Sequence, residues 1–546
     1  MKKYYSLLLL LTLCSCDNII LNSSILDNSS DSTFENESSS SLDNHDSSSS
    51  SINDETSSSM NNEDSSSSDN VESDNDKNYY KNLVNRELIN YSTPLENDLN
   101  HDVTALEIFE INDTHGAFYD DSSITGISRV KTCIEANTID PYSVVKIGNG
   151  DLMQGTAFSN MLMGEPAVAA LNEMDFDCFV IGNHEFDWNI KNLKDYKDND
   201  MSNGELNCPF LGANIVDADG NRPSFIEPYT IVNKGDVKVG IIGIIGDGFE
   251  SSISKISLDG YRFTSTTESV KKYSDILLNQ ENVDVLIVAS HAHDESKNQQ
   301  YVNESKIDCI INAHDHQKIS EYVTRYDNKK IPVVESNTKN ITIGKVTLNL
   351  DENNNYTSYK TEHFSPKNFD KDANLDNIMN VYYQVTSEYE KQVIGYKAGG
   401  FSKSGIAIST CNYMAEKYDC DLAFINTGGV RAKVSVSNIT NGSIYEVFPF
   451  DNELYITSVT GSQLKKMITQ SNLDYYYYNE SGIGWGTEYD YNGVENNKTY
   501  KVITVDYVAT KSYMSSYFSS SNPNFIMTGD YIRDCAIENI KKNYKK

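Results

Sequence analysis

Phe179-Val180-Ile181-Gly182-Asn183-His184-Glu185-Phe186-Asp187 sets an amide and an imidazole side by side directly after a short apolar run, with a carboxylate three residues beyond the imidazole. An apolar run that ends in glycine reads as a strand stopping at a turn. The residue types suit metal-assisted chemistry: a metal ligand, a proton-bearing ring beside it, and an acid to fix that ring's tautomer. One such stretch would equally describe a surface turn with a satisfied histidine. The reading depends on whether other strand ends carry the same signature.

Four more do. Residues 104–111 alternate like a half-buried strand and run into Asn112-Asp113-Thr114-His115-Gly116. Residues 143–147 run into Gly148-Asn149-Gly150-Asp151, residues 283–289 into Ser290-His291, and residues 307–312 into Ala313-His314-Asp315-His316. Of nine histidines, six (His115, His184, His291, His293, His314 and His316) lie at these places, which a chance scatter would not produce. Helical spacing over residues 166–174 and 269–278 separates the strands, and this alternation predicts an α/β layered domain. Ligands at strand ends of such a sheet converge on one edge. Asp, Asn and His without cysteine suit Mn, Fe, Zn or similar ions better than a thiolate site does.

At 546 residues the chain is too long for one ordinary core, which predicts two domains and extensions. The net charge of −34 argues against a nucleic-acid duplex as partner, since that surface needs clustered Lys and Arg. Much of the acidity is outside any expected core: residues 17–77 hold 15 acids and one base among Ser, Asn and Asp. Nine cysteines without a CxxC pair give neither a thiolate site nor a disulfide framework. Cys411 and Cys420 could pair, with buried free thiols the simpler expectation.

Met1-Lys2-Lys3 and the leucines from Leu7 to Leu11 have the shape of a secretory signal, too short to span a bilayer comfortably. Leu13-Cys14-Ser15-Cys16 looks like a bacterial lipobox, so residues 1–16 are expected as a lipoprotein signal with Cys16 lipidated. A coincidental cysteine in an ordinary cleaved signal is the alternative. Residues 17–78 then form a serine-rich flexible tether with almost nothing apolar to bury. The protein is expected at the cell surface, held to the outer face of the cytoplasmic membrane by its lipid.

With the five motifs laid out, residues 103–350 resemble a calcineurin-like metallophosphoesterase of the 5′-nucleotidase branch. The resemblance is carried by Asp113-x-His115, Gly150-Asp151-x-x-Gln154-Gly155, Gly182-Asn183-His184-Glu185-Phe186-Asp187-Trp188, Ser290-His291 and His314-x-His316, with Gly164-Glu165-Pro166 and Ala213-Asn214. Ala313 departs from the glycine usual there. The resemblance implies an α/β fold in which a four-layer α/β-β/α sandwich (residues 79–352) precedes a smaller α/β substrate-binding domain (residues 370–546). It implies two divalent ions: Asp113, His115 and His316 on one, Asn183, His291 and His314 on the other, and Asp151 bridging. His184 would stay unligated, stabilising or protonating the leaving group, with Asp187 orienting it. His293 is expected near the ligands or at the surface, and Asp315 and Glu185 as loop residues.

Residues 372–392 have helical spacing and read as the entry to a new unit. Beyond them, Ala423-Phe424-Ile425-Asn426-Thr427-Gly428-Gly429-Val430-Arg431 and Phe448-Pro449-Phe450-Asp451-Asn452 resemble the 5′-nucleotidase C-terminal domain. That resemblance makes Phe450 and Tyr507 the aromatics that stack on a nucleotide base, with Asn426 and Arg431 as polar contacts. Two features depart: Thr510-Lys511-Ser512-Tyr513-Met514 replaces a Gly-Gly-Asp-Gly turn, and Lys403 stands near a usual arginine. The implied activity is hydrolysis of a nucleotide phosphate ester, foremost as a 5′-nucleotidase. A UDP-sugar diphosphatase or 2′,3′-cyclic nucleotide phosphodiesterase on the same scaffold is the nearer alternative, and a non-catalytic nucleotide- or partner-binding lipoprotein the further one.

Overall fold

The computed structural model describes residues 78–121, 123–470, 475–479 and 494–545. The expected signal, Cys16 and nearly all of the tether lie outside them. Five strands carry the candidate ligands: β1 (Ala105–Ile111), β2 (Val144–Asn149), β3 (Cys178–Val180), β4 (Val285–His291) and β5 (Cys309–Ile311). β4 begins later than the alternation suggests and continues through His291, so this histidine is itself a strand residue.

Two sheets hold these strands. In the first, the order is Tyr356–Phe364, Ile343–Leu350, β1, β2, β3, Phe210–Leu211, Ile226–Glu227. In the second it is Ile319–Thr324, Lys330–Glu335, β5, β4, Val237–Ile245, Tyr229–Lys234. β1, β2 and β3 run parallel, as do β4 and β5. All five therefore end on the same side of their sheets.

Side-chain alternation sets the layers. Leu106 and Ile108 of β1, with Val145 and Ile147 of β2, share one core with Ile241, Ile287 and Ile311 of the second sheet. Phe109 and Ile111 face the other way, into a core with the helices Ile127–Ala136 and Glu165–Glu173. The helices Thr266–Asn279 and Glu295–Glu304 give Val270, Leu277 and Val302 to the second sheet's side. Helix, sheet, sheet, helix is the four-layer α/β arrangement expected. Asn149, at the end of β2, donates to the carbonyls of Ser290 (3.2 Å) and Ile311 (3.2 Å), joining the two sheets at the edge where the motifs emerge.

The helix Ala373–Lys391 puts Leu375, Ile378, Met379 and Tyr382 into the core of the first unit, and the Tyr382 hydroxyl donates to Glu165 (3.0 Å). Its far end accepts from Asn441 at the Tyr389 carbonyl. This helix therefore packs on both units. The following unit is a mixed five-stranded sheet in the order Tyr475–Asn479, Leu422–Asn426, Thr499–Val505, Glu453–Thr460, Ile526–Tyr531, with the helices Lys403–Tyr418 and Ile532–Asn543. Cys411 and Cys420 are both buried there, and no disulfide joins them. Among the described residues no helix is long and apolar enough to cross a membrane.

Candidate metal centre and active site

Three of the five motifs leave their strands through backbone conformations that L-residues rarely adopt. Asp113, His115, Asp151, His314 and His316 have φ of +48°, +46°, +53°, +83° and +57°. Such left-handed residues cost about 1–3 kcal/mol each and cluster where geometry serves function. Two glycines make the turns possible. A Cβ on Gly150 (φ +82°) would lie 2.2 Å from His291 Nδ1, and one on Gly182 would lie 2.3 Å from Asp151 Oδ1.

The turns gather the side chains into two groups. Asp113, His115 and His316 form one, and Asp151, His291 and His314 the other, each with donor atoms within 4.8 Å of one another. His316 Nε2 is 3.4 Å from Asp113 Oδ1 and 3.0 Å from His115 Nε2. His291 Nε2 is 3.2 Å from Asp151 Oδ2. Backbone carbonyls fix the tautomers: His115 Nδ1 donates to Gln154 O (3.1 Å) and His291 Nδ1 to Asn149 O (2.9 Å). With Nδ1 carrying the proton, each Nε2 turns a lone pair inward.

Divalent ions fit this arrangement. Asp113 Oδ1, Asn183 Oδ1, His291 Nε2 and His314 Nδ1 are all buried without a hydrogen-bond partner. A buried polar atom left unpaired costs about 1–3 kcal/mol, so a cluster of lone pairs facing one another calls for a cation. Without an ion, charges within the cluster compensate one another. Burial opposes charge on Asp151, yet His291 and His184 hold its carboxyl well below the usual range. Burial likewise lowers the His291 imidazole, but Asp151 outweighs it and pushes the ring up to about 10. His115 and His314 go the other way, to about 3 and about 4, through burial first and then the neighbouring rings.

His184 stands beside both groups and belongs to neither. Its Nδ1 is 2.7 Å from Asp187 Oδ2, its Nε2 lies 4.0 Å from Asp151 Oδ2, and its backbone N–H donates to Asp151 Oδ1 (2.8 Å). Burial depresses this ring, while Asp187 and then Asp151 raise it, to about 8 in balance.

Three supporting residues escaped the sequence reading. Glu185 is fully buried and is more than a loop residue: its two oxygens accept from the backbone N–H groups of Asp151, Leu152, Met153 and Gly182 at 2.8, 2.8, 3.3 and 2.8 Å. It welds the loop of Asp151 to the loop of Asn183. Its place between His184 and the apolar Phe186 was the only available hint. Asn112 donates to Asp113 Oδ2 (2.6 Å) and Ser336 O (3.0 Å), fixing the first carboxylate. Phe249 lies with its ring centroid 4.4 Å from that of His314, and no motif marked it.

The aromatics expected at the substrate are divided. Phe450 reaches the centre, its ring 5.7 Å from that of His184 and at 18° to it, with the Arg431 guanidinium 5.9 Å from the Phe450 centroid. The loop bearing Phe450 is fixed where Asn160 donates to Pro449 O (3.0 Å). Tyr507 is half-buried; its hydroxyl donates to Ser251 O (3.3 Å) and Lys511 Nζ covers its ring at 3.8 Å. Asn426 ends its strand with its amide against Gly429, and Lys403 is exposed in the first turn of its helix.

Residues 106–318 match the calcineurin-like phosphoesterase family and residues 381–515 the 5′-nucleotidase C-terminal domain. An apyrase of Tabanus yao is 24% identical over 413 residues, covering 66% of this chain and 72% of the relative. A 5′-nucleotidase of Vibrio parahaemolyticus is 23% identical over 416 residues, covering 66% and 73%. The fold is shared with a 5′-nucleotidase precursor of Thermus thermophilus, at TM-score 0.66 and 18% identity over 81% of this chain and 97% of that one. It is shared also with a 5′-nucleotidase of Candida albicans, at TM-score 0.56 and 14% identity over 83% and 100%. Both domain matches, in this order on this fold, place the chain in the 5′-nucleotidase family of calcineurin-like phosphoesterases, hydrolases that use divalent metals.

Proposed function

We propose that the chain hydrolyses the 5′-phosphate ester of a nucleotide, releasing nucleoside and phosphate. The observation that carries this is the set of four unpartnered buried ligand atoms at the ends of four strands, with the His184–Asp187 pair beside them. Asp113, His115 and His316 would hold one ion, Asn183, His291 and His314 the second, and Asp151 would be shared by both. When bound, two such ions neutralise phosphate oxygens and acidify a water.

The chain's own groups do the rest. His184 keeps Nδ1 toward Asp187, which leaves Nε2 facing the centre to give a proton to the departing ester oxygen. Asp187 holds that ring's orientation and balances its positive charge. Phe450 offers a flat apolar face within reach of His184, suited to one side of a base, and Tyr507 would offer the second on the face that Lys511 leaves open. The planar guanidinium of Arg431 adds a positive charge on the His184 side.

The test is one substrate panel: AMP, UMP, a nucleotide sugar, a 2′,3′-cyclic nucleotide and an aryl phosphate, each with manganese, zinc, magnesium or chelator. Fastest metal-dependent phosphate release from a nucleoside monophosphate is expected. Faster turnover of the nucleotide sugar or cyclic nucleotide would replace this substrate reading, and no release from any of them would end the enzymatic one. Attachment to the cell surface through Cys16 rests on the leader sequence. Cys16→Ala should move the protein from the membrane fraction to the medium, and an unchanged membrane fraction would refute the anchor.

A further inference from the structure

A third group of potential cation ligands lies on the flank of the centre. His293 follows β4 by two residues, Glu295 opens the helix Glu295–Glu304, and Glu321 lies on the edge strand Ile319–Thr324. One donor atom from each lies within 4.8 Å of the others, and His293 Nε2 is 3.8 Å from Glu321 Oε1. Donors sharing one zinc-sized ion at about 2.1 Å stand roughly 3.4 Å apart, so the trio needs only a small contraction. Among the described residues no lysine or arginine is ion-paired with Glu295, Glu321 or Glu335.

The buried side of His293 points the same way independently. Glu335 is fully enclosed, and its Oε2 has no hydrogen-bond partner, lying 3.4 Å from His293 Nδ1. Asn312, also enclosed, has an unpartnered Oδ1 and places its Nδ2 3.2 Å from the same ring nitrogen. Exchanging the two amide atoms of Asn312, which have nearly the same shape, gives Oδ1 the Nδ1 proton that it lacks. Glu335, and Asn312 in the exchanged orientation, accept on that side and keep the proton on Nδ1. Nε2 then presents a lone pair to two carboxylates, an arrangement of three acceptors that a cation completes. A carboxylate behind the ligating imidazole is the usual support of such a site.

We infer that His293, Glu295 and Glu321 bind a divalent cation of the zinc or manganese class, oriented by Glu335 and Asn312. This site is separate from the proposed pair of ions and does not rest on the phosphatase reading. It would tie the helix after β4 to the edge strand, and Asn312 connects it to the loop of His314. Glu295 and Glu321 reach solvent, so an ion can enter from outside.

Zinc is the probe. Full-length protein is equilibrated with zinc sulfate, desalted, and its zinc counted by plasma mass spectrometry. Glu321→Gln and His293→Ala should each hold one equivalent fewer than the wild type, while Asp151→Asn keeps that equivalent and loses zinc elsewhere. Equal zinc in wild type and Glu321→Gln would overturn the inference. His293→Ala opens space above buried Glu335, so circular dichroism is recorded for each variant. Glu321→Gln, a half-exposed and nearly isosteric change, decides the question if His293→Ala unfolds.

Discussion

Glu185→Gln tests how the ligand loops are held. The carboxylate accepts four backbone N–H groups, Leu152 and Met153 on Oε1, Asp151 and Gly182 on Oε2. Glutamine keeps one oxygen and turns the other position into an amide that faces two donors, so two of the four bonds are lost whichever way it sits. Hydrogen bonds to a charged acceptor contribute about 1.5–3 kcal/mol each, which gives a gross loss of about 3–6 kcal/mol. Removing the anion offsets part of this. Burial first, and then the Asp151 charge, push the Glu185 carboxyl up to about 7, so the site does not favour ionisation. A net destabilisation of about 2–4 kcal/mol is expected in urea unfolding. The catalytic consequence should be larger than the thermodynamic one, because the freed loops carry Asp151 and Asn183, and a displacement of about 1 Å costs on the order of 10²-fold in rate. Urea titration and manganese-dependent hydrolysis of an aryl phosphate read the two effects on one preparation. Wild-type stability together with wild-type kcat would show that these four bonds do not position the centre.

His184→Ala should lower kcat by about 10²–10⁴ while metal content, counted by mass spectrometry, stays at the wild-type value. Asp187→Asn should lower kcat in the same direction with the same metal content, since the ring loses its orienting and charge-balancing partner while no ligand changes. Zinc or manganese at a hundred times its dissociation constant should stabilise the protein against urea by about 2.7 kcal/mol for each site filled, and a chelator should reverse it. Arg325→Leu should destabilise by about 3–5 kcal/mol in the same assay: Arg325 and Asp308 are each 1% exposed and paired at 2.7 Å, so the change leaves a buried carboxylate alone.

The first half of the chain was legible because strand ends are a local property. Five apolar runs, each stopping at a ligand type, told both the layering and the edge on which the site lies, and Asp113, His115, His316, Asp151, His291 and His314 gather there in two groups. The left-handed residues were invisible, because nothing in Asp113 or His316 marks a positive φ. Glu185 was underestimated for a related reason: three of its four partners are backbone amides of a loop over thirty residues away, which carry no side-chain signature. The second half was harder to read. Its contacts with the centre, such as Asn160 to Pro449, join segments 289 residues apart. Residues 510–514 depart from the family pattern, and Lys511 covers the ring of Tyr507, a contact that no motif foretold.

The strain and the orphaned donors belong to one arrangement. Five candidate ligands sit in a backbone region that costs about 1–3 kcal/mol per residue, and four buried ligand atoms lack a hydrogen-bond partner. A loop free to relax would shed both costs by swinging its ligands outward. It is prevented by groups that do not face the centre: Glu185 clamps the loops of Asp151 and Asn183, Asn112 holds Asp113, and Asn149 ties the two sheets together beneath. The core of two stacked sheets thus sustains an unfavourable local geometry, so that ligand positions are set before an ion arrives. Metal binding then relieves unpaired lone pairs without having to fold a loop. The same logic explains why Glu185→Gln should harm catalysis more than stability: it releases strain that the folded core otherwise keeps in place.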